Sequence, residues 1–414
     1  MEKLVVVGAG MASGRLLEHL VREAGGRFDI TLFGAEPRGN YNRIMLSPVL
    51  AGEMDFADIV THDADWYRDN GITTHLGETV TAIDRRNRQV VSRRGATPYD
   101  RLVVATGSAP VVPSLPGNAL RGVTAFRDFD DVRRMLAAAG EPSRRAVVVG
   151  GGLLGLEAAA ALRLRGMEVT VLHLKEHLMD RQLDPASADL LRSEFERRGI
   201  VVHTGAVTKA ILGNRRVEAV ALEDGAVIGA DLVVTAIGIR PETRLATDSG
   251  LHVERGIVVS DGMLTSDPDI LAIGECAEHQ GVCYGLIAPL YDMARAAADT
   301  LLGREGIFRP TRTATQLKVS GVSVYSAGDF AARGDREEIV MHDEDAGSYR
   351  RLVIHNGRLL GAVLYGDVAD GPWFFDLVRE QTDTDPLRTT MIFGRGLAES
   401  EALEAFGSRC SLPS

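Results

Sequence analysis

Gly150-Gly151-Gly152-Leu153-Leu154-Gly155-Leu156-Glu157 places three glycines and an acid where an apolar run, Val147-Val148-Val149, gives way to an alanine-rich one. Glycine at 150 permits a tight turn, glycine at 152 lets the backbone approach a pyrophosphate, and glycine at 155 lets a helix lie close on the preceding strand. The helix N-terminus then offers free N–H groups and a positive dipole end to the phosphates. The pattern occurs again at the start of the chain as Gly8-Ala9-Gly10-Met11-Ala12-Ser13-Gly14, after Leu4-Val5-Val6-Val7. Ser13 replaces the third glycine there and is small enough for close helix packing. Either motif alone is a common turn; the pair, each between a strand and a helix, predicts two dinucleotide sites in one polypeptide.

Other residues carry chemistry by their place after a strand. Glu36 follows the second strand of the first unit, where a carboxylate can accept hydrogen bonds from a ribose; its alternative is a solvated loop acid. In Asn40-Tyr41-Asn42-Arg43-Ile44-Met45-Leu46-Ser47-Pro48 an aromatic, a guanidinium and a hydroxyl could line a flavin pocket, Arg43 meeting phosphate or ring edge; taken alone, the stretch is equally a surface loop. Ala105-Thr106-Gly107 ends a buried strand with small residues that can lie against a nucleotide. Glu275 ends another and can hold the ribityl hydroxyls of a flavin. Glu157 sits at the second glycine turn, where it can orient a nicotinamide carboxamide or serve as a first-turn acid favoured by the dipole. At the strand end of the second unit an acid would select NAD and an arginine NADP. His173 stands there and is neither, so NADH and NADPH both stay open.

These residues need a framework of alternating strands and helices. Strands are expected over 4–7 and 30–33 with a helix over 11–22 between them, then a hairpin over 80–91 and a buried strand over 102–107. Pro110, Pro113 and Pro116 mark a crossing between domains. A helix opens near Phe126-Arg127-Asp128, capped by Asp128 or Asp130. The second nucleotide unit runs from 146 to about 172, and 231–241 echoes the Ala-Thr-Gly strand. A strand over 270–275 and a helix over 289–302 follow. Beyond Pro310 strands alternate, as over 316–324, and 311–395 reads as an α+β domain. The tail, 396–414, is expected to be loosely held.

The composition bounds the function. A chain of 414 residues exceeds one core, and its 45 glycines suit a fold with many βα turns. A net charge of −11 argues against nucleic acid and anionic membrane surfaces as partners. No apolar run is long enough to span a bilayer, and a start directly on a core strand leaves no room for a signal peptide; the expected compartment is the cytoplasm. Three cysteines, Cys276, Cys283 and Cys410, are too few for an iron–sulfur cluster, and none lies near Ser47 to form a redox disulfide beside a flavin. No residue set is assigned to a metal.

With these motifs in order, the sequence resembles the flavoprotein superfamily with two dinucleotide-binding domains, which includes rubredoxin, ferredoxin and disulfide reductases. More specifically it is similar to the N-terminal flavoprotein region of assimilatory NAD(P)H nitrite reductase large subunits. The resemblance rests on 40–53, on Phe126-Arg127-Asp128, 150–157 and Arg181-Gln182-Leu183-Asp184, and on Thr265-Ser266-Asp267-Pro268-Asp269-Ile270 and Leu317-Lys318-Val319-Ser320-Gly321. It implies an α/β fold with two Rossmann-like domains, an FAD domain (1–112 and 243–310) interrupted by an NAD(P)H domain (113–242), followed by the α+β domain. It implies FAD on Gly8, Gly10, Glu36, Arg43, Val80, Thr106, Gly107, Arg127 and Glu275. It implies NADH or NADPH on Gly150, Gly152, Leu153, Leu154, Glu157 and Gly238. Met11, Ala12, Ser47, Ala105, His173 and Ile287 complete the cofactor-binding candidates, with Glu157 and Arg43 the catalytic ones.

The activity implied is electron transfer from NAD(P)H through FAD to a separate redox partner, a nitrite or nitrate reductase component, ferredoxin or rubredoxin. Rivals are an NAD(P)H oxidase and a redox-sensing interaction module, and a homodimer is left open. Related ferredoxin reductases carry lysine after the serine at 47; Pro48 removes any ion pair built on it. Nitrite reductase large subunits also hold cluster and sirohaem regions, which three cysteines do not supply.

Overall fold

The computed structural model describes residues 1–140, 144–309, 314–319 and 321–400. The expected loose tail beyond 400, with Cys410, lies outside the described residues, as do Pro310, Thr311 and Ser320. The chain forms two compact units: Met1–Val112 with Ala125–Arg134 and Gly238–Thr311, and Pro113–Thr124 with Met135–Ile237 and Arg312–Ser414.

In the first unit, five parallel strands stand in the order Ile270–Ala272, Arg101–Val104, Glu2–Val7, Phe28–Gly34, Thr73–Leu76. The strand that feeds the first glycine turn is therefore central, with chain order reversing beside it, where open α/β sheets bind ligands. Its residues Leu4 to Val7 are buried on both faces, in one core with helix residues such as Leu16 and Met293 and with Val80, Ile83 and Val90 of the antiparallel strands Val80–Asp84 and Gln89–Ser92. Helix Met11–Glu23 buries Leu16, Leu17 and Leu20, and helix Ile287–Leu301, which buries Met293 and Ala297, packs beside it.

The second unit repeats the arrangement. Strands Ile200–His203, Glu168–Leu172, Arg145–Val149 and Leu232–Thr235 are parallel and adjacent in that order, with the short strand beginning at Val123 beyond them. The same unit holds an antiparallel sheet ordered Ala314–Val319, Val322–Gly328, Arg358–Tyr365, Ser348–His355, Glu337–Asp343. Helix Gly371–Glu380 covers it through Phe374, Leu377 and Val378. Among the described residues no helix is long and apolar enough to cross a membrane.

Several expected boundaries move. Residues 125–134, read as part of the nicotinamide domain, fall in the first unit, where Arg127 pairs with Glu275. Residues 238–242 join them there, because strand Ile239–Pro241 pairs with Ser108–Pro110. The α+β region falls in the second unit, where the Tyr349 hydroxyl donates to Asp184 Oδ2 at 2.7 Å. The strand read over 270–275 stops at Ala272, and Gly274, at φ +85, opens a 3-10 turn, Gly274–Cys276. The stretch 316–324 is a hairpin turning near Gly321 rather than one strand. The helix read from 289 starts at Ile287; a proline within the first turn is tolerated because its missing N–H would have no helical partner.

Candidate functional site

The two glycine turns have the same geometry. Gly8 and Gly150 have φ of +115 and +126, and a Cβ on either would fall 2.1 Å from Ala105 O or 2.2 Å from Ala236 O. Only glycine lets these turns touch the neighbouring strand end. In the second unit Gly155 is equally fixed, since a Cβ there would lie 2.0 Å from Gly150 O. In the first, buried Ser13 takes the third position and donates from Oγ to Gly10 O at 2.9 Å, so the replacement braces the turn.

Around the first turn the structure gathers most of the residues assigned to FAD. Met11 and Ala12 open helix Met11–Glu23, and Ala12 Cβ would lie 3.2 Å from a Cβ on Gly274, which ties the turn to the segment carrying Glu275. Ala105 donates its N–H to Val7 O at 2.8 Å. Thr106 Oγ1 donates to Glu242 O at 2.8 Å, and Glu242 N–H to Gly107 O at 2.9 Å, so the Ala-Thr-Gly segment is held to the returning chain. The Arg127 guanidinium pairs with Glu275, whose Oε2 also accepts from Ser108 Oγ at 2.8 Å. Asp128 caps the helix that follows, accepting from Asp131 N–H at 2.9 Å, while Asp131 accepts from Arg127 N–H at 2.8 Å; this fixes the backbone that carries Arg127.

Glu36 lies past the second strand and accepts from Arg43 at Oε1 (2.5 Å) and from the Tyr41 hydroxyl at Oε2 (2.8 Å). Burial pushes the Tyr41 phenol well above its ordinary value, so it stays a neutral donor. Ser47 is in helix Leu46–Ala51, Val80 is buried at the start of strand Val80–Asp84, and Ile287 opens its helix; Gly238 also belongs to this unit, its carbonyl accepting from Val111 N–H at 2.9 Å.

Asn40 opens the 40–53 stretch, and its type alone suggests no role. It is 1% exposed, donates from Nδ2 to Gly10 O at 2.5 Å and accepts at Oδ1 from the Tyr67 hydroxyl at 2.5 Å. An asparagine beside a glycine turn in space, and distant from it in sequence, leaves no local signal.

In the second unit Leu153 and Leu154 form the first turn of helix Leu153–Leu164, and half-buried Glu157 follows one turn on. His173, at the end of Glu168–Leu172, is buried and accepts at Nδ1 from Gly151 N–H at 3.1 Å. Its ring therefore turns into the glycine turn. Burial pushes its pKa below the ordinary imidazole value.

These residues fit the two dinucleotides. A Cβ on Gly10 or Gly152 meets no described atom within 4 Å, and neither helix start carries a side-chain cap, so backbone donors are left for phosphate. Arg127 Nε is a buried donor with no partner among the described residues. Each oxygen of Glu36 can accept more than one hydrogen bond, so its contacts leave capacity for a ribose. Cys276 is fully buried and burial raises its thiol pKa, so it is no redox nucleophile.

Residues 2–300 match the family described as pyridine nucleotide-disulphide oxidoreductase, and residues 314–382 that described as the rubredoxin NAD+ reductase C-terminal domain. Over 384 residues the chain is 46% identical to the NAD(P)H nitrite reductase of Bacillus subtilis (strain 168), covering 92% of this chain and 48% of that protein. It is 40% identical to the assimilatory nitrate reductase electron transfer subunit of the same strain, covering 92% and 50%. The chain thus spans about half the length of the curated relatives it matches. The crystal structure of NADH:rubredoxin oxidoreductase from Clostridium acetobutylicum superposes with a TM-score of 0.79 at 27% identity, covering 93% of this chain and 96% of that one.

Proposed function

The chain belongs to the pyridine nucleotide-disulphide oxidoreductase family, and from that premise we propose that it moves electrons from NADH or NADPH, through FAD, to a separate redox protein in cytoplasmic nitrite or nitrate assimilation. The observation that carries the reading is the repeated turn, closed by Gly8 and Gly150 against a strand end and open above Gly10 and Gly152. The first unit is the proposed FAD site and the second the nicotinamide site.

Bound FAD would supply the chemistry, accepting hydride from the nicotinamide and releasing electrons to the partner. The protein's part is to bind and orient. Backbone N–H groups at the starts of helices Met11–Glu23 and Leu153–Leu164 take the pyrophosphates. Glu36, braced by Arg43 and Tyr41, takes a ribose, and Arg127 and Glu275, fixed by each other and by Ser108, hold the flavin side of the first unit. Glu157 orients the nicotinamide carboxamide. The nitrite and nitrate reductase relatives support an acceptor from the same pathway, with ferredoxin or rubredoxin as the alternative class.

Anaerobic titration tests the proposal. Purified protein should carry flavin absorbance that bleaches with one equivalent of NADH or NADPH and recovers on adding a redox protein from nitrite or nitrate reduction. Protein that retains no added FAD, or flavin that neither nucleotide bleaches, overturns it.

A further inference from the structure

His173 follows strand Glu168–Leu172 directly, and its ring is held by the glycine turn through Nδ1. Gly150 N–H donates to Leu172 O at 2.8 Å, as Gly8 N–H does to Phe33 O at 2.8 Å in the first unit, so the residue after each acceptor is equivalent. That residue is Gly34 in the first unit and His173 in the second. A Cβ on Gly34 would lie 2.9 Å from Ala9 Cβ, leaving no room for a ring. The second unit has built an imidazole into that place. Its Nδ1 accepts from Gly151 N–H at 3.1 Å, and a Cβ on Gly151 would fall 2.8 Å from His173 Cγ and 2.6 Å from Leu178 Cδ2. Gly151 O accepts from Met179 N–H at 2.9 Å. Both polar groups of the middle glycine are thus held, one by the imidazole and one by the segment that follows it.

We propose that His173 is a positioning residue that holds the nicotinamide-binding turn in its open form only while its imidazole is neutral, making dinucleotide affinity fall with pH. This rests on the reading of the second unit as the NAD(P)H site. An imidazolium has no lone pair at Nδ1; protonation would set two N–H groups against each other in a buried site. Burial opposes the cation most; Asp180, whose Oδ1 lies 3.4 Å from Nε2, and the His177 backbone favour it, and the His177 ring opposes it weakly. His203, on the adjacent strand, donates nothing from its ring to His173 among the described contacts; its backbone O accepts from His173 N–H at 2.8 Å. The glycine turn itself brings no titratable group, and Glu157 is the first on the helix beyond it. Burial dominates, which places the loss of affinity below the usual imidazole range.

The test uses the FAD-loaded full chain and two variants. His173→Asn keeps an oxygen near the place of Nδ1 and cannot take up a proton there; His173→Leu keeps bulk and removes the acceptor. Dissociation constants for NAD+ are measured by calorimetry across pH, with KM and kcat for ferricyanide reduction alongside and melting temperatures as a check on folding. In the wild type, affinity should fall on acidification while flavin occupancy holds. His173→Leu should bind about tenfold more weakly or worse at every pH, the scale of an orphaned buried donor, in KM and not in flavin content. His173→Asn should recover most of the affinity and lose the pH dependence. Nitrogen NMR of labelled histidine should show Nδ1 unprotonated at neutral pH. Asparagine no better than leucine, a pH dependence that survives in His173→Asn, or a protonated Nδ1 at neutral pH overturns the proposal. Failure of the wild type to bind either dinucleotide overturns instead the reading on which it rests.

Discussion

Gly8 and Gly10 are two residues apart in one turn, and alanine should act on them in opposite ways. At Gly8 an alanine meets Ala105 O at 2.1 Å and must hold φ near +115. An ordinary contact requires about 3.4 Å, so turn and strand must part by more than an ångström; with the backbone strain this should cost about 3 kcal/mol or more of folding stability. At Gly10 the backbone is extended (φ −94, ψ −171) and the new methyl meets no described atom. Folding of the flavin-free protein should be unchanged, or improved by up to about 1 kcal/mol because the unfolded chain loses freedom. The methyl instead occupies the approach to the pyrophosphate, and FAD affinity should fall about 100-fold, or about 2.7 kcal/mol. Gly10→Leu should give folded, colourless protein. Urea unfolding of flavin-stripped protein measures the first effect, and flavin absorbance with equilibrium FAD titration the second. Full flavin occupancy in Gly10→Leu would refute the assignment of the turn. A large stability loss in flavin-stripped Gly10→Ala would refute the claim that the space above it is open.

Three further outcomes are expected. Arg127→Ala should weaken FAD by about 1–3 kcal/mol, since a charge-assisted contact goes and Glu275 keeps only its serine partner, and Arg127→Lys should recover part of it; an unchanged FAD dissociation constant would make Arg127 purely structural. Tyr349→Phe should destabilise the second unit by about 1–2 kcal/mol in urea by leaving Asp184 without that donor. Burial and Asp184 raise the Tyr349 pKa in the folded chain, so its contribution is complete below the ordinary tyrosine value near 10 and lost as pH rises through the higher folded value; the phenylalanine variant should show a shallower alkaline loss than wild type. A polypeptide of this sequence should reduce ferricyanide with NADH or NADPH and show flavin bands alone, with no ammonia from nitrite until a partner is added, because its three cysteines fall short of the about four thiolates a cluster takes. A sirohaem band, or ammonia formed without partner, would contradict this.

What could be read from the sequence was what backbone geometry forces on local residue choice. A turn at positive φ against a strand end admits only glycine, so Gly8 and Gly150 announce themselves, and strands covered on both faces appear as unbroken apolar runs. What could not be read was pairing across the chain. Arg127 and Glu275 are 148 residues apart, and Asp184 and Tyr349 165 apart; each is an ordinary polar residue until the fold brings its partner. Such pairs also cross the expected domain boundaries. A break after the proline-rich crossing suits local composition, whereas residues 125–134 fall in the compact unit that holds Glu275, the partner of Arg127. His173 shows the same limit at the site itself. Position in a motif says which residue stands at a strand end, whereas its role follows from where the ring points, and here Nδ1 accepts from a backbone N–H 22 positions upstream. A pair of glycine turns, each between a strand and a helix, thus marks the two dinucleotide folds, while the residues that tune each site become visible only through the contacts that the glycines make room for.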